Sequence, residues 1–303
     1  MAESTGGPSS IPNTTPAASG GARNITNSYL TQSFRDQRQI ENFVRSNKLV
    51  KVIEEATHNF ITTFQQSKRP EDALDAIIVK LTFIYGDFFR HPLDLLHFCI
   101  EEPVEFYNAV KYCAFGIIRD ILKNQCPPAG SGNVSESSLK FIDIDQVHVQ
   151  VRFLGFPLQP DLCFEPYLNS YRTGLSLVIG ILSALTEPEK FVLQSVWYCS
   201  AGCTSNKVKS NSLEAPLCKN CNHPMSEYSK LRHTQNYCLI RILPAAAVET
   251  PRKLNQIFRA LTIRVFDHVH DCPLLLGNRY MITGYYNYTH YSQEFQAWNL
   301  TTI

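Results

Sequence analysis

Two cysteine pairs, Cys199 with Cys203 and Cys218 with Cys221, flank a polar loop of fourteen residues in YCSAGCTSNKVKSNSLEAPLCKNCNH. This spacing constrains the chain more than any other feature, because paired cysteines can bring four thiolates to one tetrahedral zinc ion and so force both ends of the loop together. A full set of four protein ligands leaves no open coordination position, which makes such a zinc structural. Cys199 and Cys203 enclose three residues rather than the usual two, and His223 stays open as a substitute ligand. The ten cysteines are scattered, no charged stretch followed by an apolar run opens the sequence, and no run of about eighteen apolar residues occurs. The chain therefore reads as soluble and intracellular, where paired cysteines bind metal more readily than they form disulfides. Cys99, Cys113, Cys163, Cys238 and Cys272 lie in apolar contexts and read as core residues.

The 303 residues divide by composition. Residues 1–27 are Ser, Thr, Pro, Gly, Ala and Asn with almost no large apolar side chains, a composition that predicts a disordered tail. Residues 28–125 carry helical periodicity, as in FRDQRQIENFV and PVEFYNAVKYCAFGIIRDIL. In the second stretch Val104, Tyr107, Ala109, Val110, Ala114, Ile117, Ile118 and Ile121 define one face. Pro92 and Pro103 suit helix starts. DAIIVKLTFIY fits a strand and a buried helix equally well. CPPAGSGNVSESS, at 126–138, is a linker by composition.

Beyond it, over 139–303, the period becomes two. Val147, Val149, Val151 and Phe153 alternate with polar residues, as do Leu261, Ile263 and Val265, and LSLVIGILSAL, FVLQSVWY, YCLIRIL and RYMITGYY are further strand candidates. Short strands in this number predict an oligonucleotide-binding (OB) barrel with a zinc hairpin inserted at 197–236, and the chain as a whole reads as a multidomain α+β protein.

No catalytic arrangement is found. His-x-Glu and His-Glu-x-x-His are absent, no Gly-Lys dipeptide exists for a phosphate-binding loop, and DHVHD at 267–271 reads as a polar turn closing a strand. The protein reads as a non-enzyme. The formal charge is only +1, but eleven basic residues face five acidic ones between Glu187 and Arg264, a local excess of +6. That places candidate phosphate contacts at Lys207, Lys209, Arg252, Lys253, Arg259 and Arg264, for weak, sequence-independent DNA binding. Trp197, Tyr198, Tyr228, Tyr237 and Phe258 lie among them, as barrel packing or as base-stacking platforms.

Helices, then strands split by a four-cysteine loop, then a polar hairpin ending in Pro251-Arg252, resemble the N-terminal half of mini-chromosome-maintenance (MCM) proteins. GLSLVIGILSALTEPEKFVLQSVWYCSAGC is similar to the family's strand with a central glycine, here Gly180, that leads to the first cysteine knuckle. YCLIRILPAAAVETPRKLNQIFRALTIRVFDHVHDCPLLLGNRYMITGY resembles its DNA-facing hairpin and following strands. The Cys-x3-Cys knuckle and the Val248-Glu249-Thr250 preceding Pro251 depart from replicative members. They look most like the divergent meiotic branch, the MCM-domain-containing proteins, whose fly members carry the N-terminal and ATPase-like halves on separate polypeptides. The resemblance implies a nuclear, non-catalytic subunit of a meiotic recombination complex. It would promote crossovers with an ATPase-like MCM partner, docked through the face at 272–288 and a C-terminal tail at 291–303. The alternative is a stand-alone single-stranded-DNA-binding OB-fold zinc protein of replication or repair.

Overall fold

The computed structural model describes residues 37–46, 48–66, 76–125, 142–158, 174–203, 208–210, 214–249, 258–271, 273–288 and 293–303. The expected tail at 1–27 and linker at 126–138 lie outside them. The chain divides into two units, Met1–Arg38 and Gln39–Ile303, and the second carries the architecture below.

Helix and sheet are mixed, with one large β-sheet. After a helical segment at 37–46 (α1) comes α2 (Leu49–Gln66), whose buried Ile53, Thr57, Phe60, Ile61 and Phe64 follow the three-and-four spacing of one helix face. The buried Thr57 is satisfied within the helix, its Oγ1 donating to the Ile53 carbonyl at 2.6 Å. The ambiguous DAIIVKLTFIY contains a strand, β1 (Ile77–Ile84), with Ile77, Val79, Leu81 and Phe83 turned inward. α3 (Leu93–Glu101) follows Pro92, and α4 (Pro103–Gln125) begins on Pro103, whose missing N–H costs nothing at a first helical position. The face α4 buries is Phe106, Val110, Cys113, Ala114, Ile117, Ile118 and Leu122, while Val104 is exposed.

The helical region at 28–125 thus includes a strand, and its core extends past the linker. β2 (Val147–Leu154) pairs with β1 in parallel, Ile77 opposite Val147 through Ile84 opposite Leu154, rather than joining the large sheet. Phe153 of β2 stacks with Phe83 at 5.4 Å in a cluster that also holds Phe88 and Phe106. The physical reason is pattern: β2 buries Val147, Val149, Val151 and Phe153, and the apolar faces of β1 and α4 are what cover them.

The large sheet is built from β3 (Leu175–Leu185), β4 (Glu189–Tyr198), β5 (Val208–Ser210), β6 (Ser226–Glu227), β7 (His233–Leu243), β8 (Leu261–Phe266), β9 (Arg279–Tyr288) and β10 (Gln293–Thr302). Strand β3 pairs with β9 along its first part and with β7 along its last. The order β3-β9-β10-β8-β7 therefore returns to β3 and closes a ring of five strands. Closure depends on Gly180, because a Cβ there would strike the Leu243 carbonyl and the Ile242 side chain of β7. The ring encloses Val178, Leu182, Ile240, Ile242, Ile263, Val265, Tyr280, Ile282, Phe295 and Leu300.

The C-terminal segment is not a tail. β10 lies between β9 and β8 with Phe295, Ala297, Trp298 and Leu300 buried, so it is part of the ring. Between Ala297 and Asn299 its register against β9 slips by one residue, and the extra residue is Trp298. The bulge turns Trp298 out of the ring's core, where it stacks on Phe153 at 5.1 Å and joins the core of the helices.

Candidate metal centre

β4 connects the ring to the cysteine loop. Its first half pairs with β7, from Glu189 opposite Tyr237 to Gln194 opposite His233. Its second half runs on and pairs with β5 and β6, Trp197 lying opposite both Val208 and Glu227. The tetrad forms where β4 ends. From Cys199 the chain turns back through Gly202, whose N–H donates to the Cys199 carbonyl at 3.3 Å and whose φ of +79° favours glycine; this turn accommodates the extra residue of the Cys-x3-Cys spacing. The second pair sits on a tight hairpin. Cys218 N–H donates to the His223 carbonyl and Asn222 N–H to the Cys218 carbonyl, both at 2.8 Å, and Asn222 takes the left-handed φ of 57° that the turn requires.

The four sulfurs of Cys199, Cys203, Cys218 and Cys221 lie within 4.8 Å of one another, those of Cys199 and Cys221 at 3.4 Å. A tetrahedral ion with metal–sulfur bonds of about 2.3 Å requires sulfurs about 3.8 Å apart, so the donor set fits. Among the described residues this is the one such group of ligating side chains. Trp197 and Met225 are buried against Cys199 and Cys218, and Trp197 Nε1 donates to Ser195 Oγ at 2.9 Å. Backbone N–H groups of Cys221 and Asn220 donate to the Cys218 sulfur and bring that thiol down to about 6, in the direction that favours the thiolate. Cys203, hydrogen-bonded to the sulfurs of Cys221 and Cys199, is pushed up to about 12. The substitute ligand His223 is exposed outside the group, its Nδ1 2.8 Å from the Cys221 carbonyl oxygen.

Half of the candidate DNA contacts fall among the described residues. Lys207, Arg252 and Lys253 lie outside the described residues, and of Lys209 only the backbone is described, on β5. Arg259 is exposed. Arg264 does not present its charge to solvent: it pairs with Glu294 at 2.6 Å and its guanidinium covers the rings of Phe191 and Tyr237 at 4.7 and 5.3 Å. That contact sets Arg264 and Tyr237 in packing roles, as burial does Trp197. Tyr228 is exposed against Tyr198, ring centroids 4.3 Å apart. In DHVHD, Asp267–Val269 form a 3-10 turn and Asp271 pairs with Arg152 at 2.7 Å. Cys99, Cys113 and Cys238 are buried, and burial raises all three thiols; Cys163 and Cys272 are outside the described residues.

The chain matches no known family model, and no curated protein is significantly similar to it.

Proposed function

We propose that this chain is a non-catalytic, MCM-like subunit of a nuclear meiotic recombination complex, which promotes crossovers by assembling with an ATPase-like MCM partner on DNA. The observation that carries the reading is the four-cysteine hairpin growing from β4 and returning into β7 of a closed five-strand ring that follows a helical layer. In this reading the ring is an OB barrel and the metal is one structural zinc, which stiffens the hairpin as an edge against neighbouring subunits. Four thiolates around the ion leave no position for a substrate. Arg252 and Lys253, on the stretch between α5 (Ala246–Glu249) and β8, supply the sequence-independent grip on phosphates.

The test is recovery of the native complex from germline nuclei. An MCM-type or ATPase-like chain at comparable stoichiometry is expected, together with DNA binding whose salt slope falls by about one unit for each phosphate contact removed at Arg252 and Lys253. Recovery of the protein alone, binding single-stranded DNA unaided, replaces this reading with that of a stand-alone OB-fold zinc protein.

A further inference from the structure

Between the helical layer and the ring lies a cleft of about 320 Å³ that the proposed function does not use. One wall is aromatic, Trp298 against Tyr285 with ring centroids 4.6 Å apart. The polar lining consists largely of neutral amides and imidazoles, with Lys111 the one cation among the described residues that line it. His148, 6 % exposed, stacks on His233 at 3.8 Å with the rings 12° apart, and its Nε2 has no hydrogen-bond partner. Gln150 Oε1 is likewise buried without a partner. The Gln235 amide donates to His268 Nδ1, which leaves the ring proton on Nε2. Burial, with help from nearby cations, holds His148 at about 3 and His268 at about 4, so at neutral pH they offer donors and acceptors without charge. Buried polar atoms without partners destabilise the fold, a cost that a ligand with matching groups would relieve. Neutral donors and acceptors beside an aromatic wall suit a planar, uncharged, hydrogen-bonding ring.

A second cavity of about 240 Å³ adjoins the first, since Gln150 and His268 line both. Its character is different. Lys80, Arg152 and His270 line it with Asp267 and Asp271. Arg152 donates to Asp271 at 2.7 and 2.9 Å and to Asn299 at 3.1 Å, yet its Nε is buried without a partner. Lys80 is exposed on the opposite side, on β1.

We propose that the two cavities form one nucleotide site, the base seated at Trp298 and Tyr285 against Gln150 and His148, and the phosphate directed toward Lys80 and Arg152. A free mononucleotide and a nucleotide of a single strand share this chemistry, and the probes separate them. The full chain is titrated by calorimetry with AMP, adenosine, inorganic phosphate and an eight-residue oligodeoxyadenylate. AMP is expected to bind with submillimolar affinity, adenosine at least fivefold more weakly and phosphate more weakly still. Gln150→Leu should weaken AMP at least tenfold, whereas Lys80→Ala, on an exposed side chain that the fold does not need, should weaken AMP and leave adenosine unchanged. Oligonucleotide binding that is lost in both variants while AMP gives no heat assigns the site to a strand. If neither AMP nor the oligonucleotide shows binding sensitive to both substitutions, the proposal is wrong. No partner chain enters these measurements, so their failure leaves the assembly reading untouched.

Discussion

Cys218 shows how local backbone geometry prepares a ligand before any ion arrives. Two N–H groups of its own turn point at its sulfur and favour the thiolate, while hydrogen bonds from neighbouring sulfurs raise Cys203 and Cys221. An ion held by all four sulfurs closes the hairpin, so its binding energy becomes folding energy for the loop. Cys218→Ala with Cys221→Ala should reduce bound zinc from about one equivalent to none and expose 199–225 to proteolysis, with the ring intact; metal analysis and limited digestion check this. The spacing of the four cysteines was legible from the sequence, but the exclusion of His223 was not, because it follows from the turn that aims this ring at the Cys221 carbonyl. Gly180 is the other residue whose chemistry is set by its surroundings. Gly180→Val would drive a branched side chain into the Leu243 carbonyl and should cost about 1–3 kcal/mol or more, read as a lower midpoint in urea unfolding with an unchanged slope.

Among the elements, the strands that alternate cleanly were readable, and β10, which loses its alternation part-way, was missed. LTIRVF and VHVQVRFL keep period two and form β8 and β2. QEFQAWNLTT begins the same alternation at Phe295 and Ala297 but loses it at Trp298, where the bulge shifts the phase, and its Gln, Asn and Thr residues resemble a tail. β1 was ambiguous because IIVKLTFI is short and nearly all apolar, and only its partner β2 decides between strand and helix. Since β10 bridges β9 and β8, removing 293–303 opens the ring, takes Phe295 out of its core and uncovers the apolar cluster that Trp298 caps. The truncated chain should lose its cooperative thermal transition and aggregate, whereas removing a dispensable tail would leave the melting curve in place.

At the scale of the molecule, the helical layer and the ring meet along a seam whose chemistry the sequence could not disclose. Trp298 crosses it from β10 to stack on Phe153, the Tyr107 ring of α4 lies 6.2 Å from that of Trp298, and His148 of β2 lies flat against His233 of β7. Burial lowers both histidines from an ordinary value of 6.5, and His268 beside them, with Lys111, Arg152 and Lys80 adding unfavourable positive charge and Asp267 opposing the shift of His268 alone. The unfolded chain therefore takes up protons first as the pH falls below about 6.5, and in the folded state His148 follows only near 3 and His268 near 4, with His233 lowered in the same direction. Stability contributed by neutral burial is full above 6.5 and is lost progressively below it, at up to about 1.4 kcal/mol per pH unit for each histidine. Between pH 7 and pH 5, above the range where ordinary carboxylates titrate, the thermal midpoint should fall steadily. His148→Phe keeps a flat ring against His233 and removes one of the titrating groups, so it should make that fall shallower without lowering the midpoint at pH 7 by more than a few degrees. A midpoint that stays constant from pH 7 to pH 5 in the parent chain, or a variant whose dependence equals the parent's, would mean that the seam already admits protons and water in the folded state.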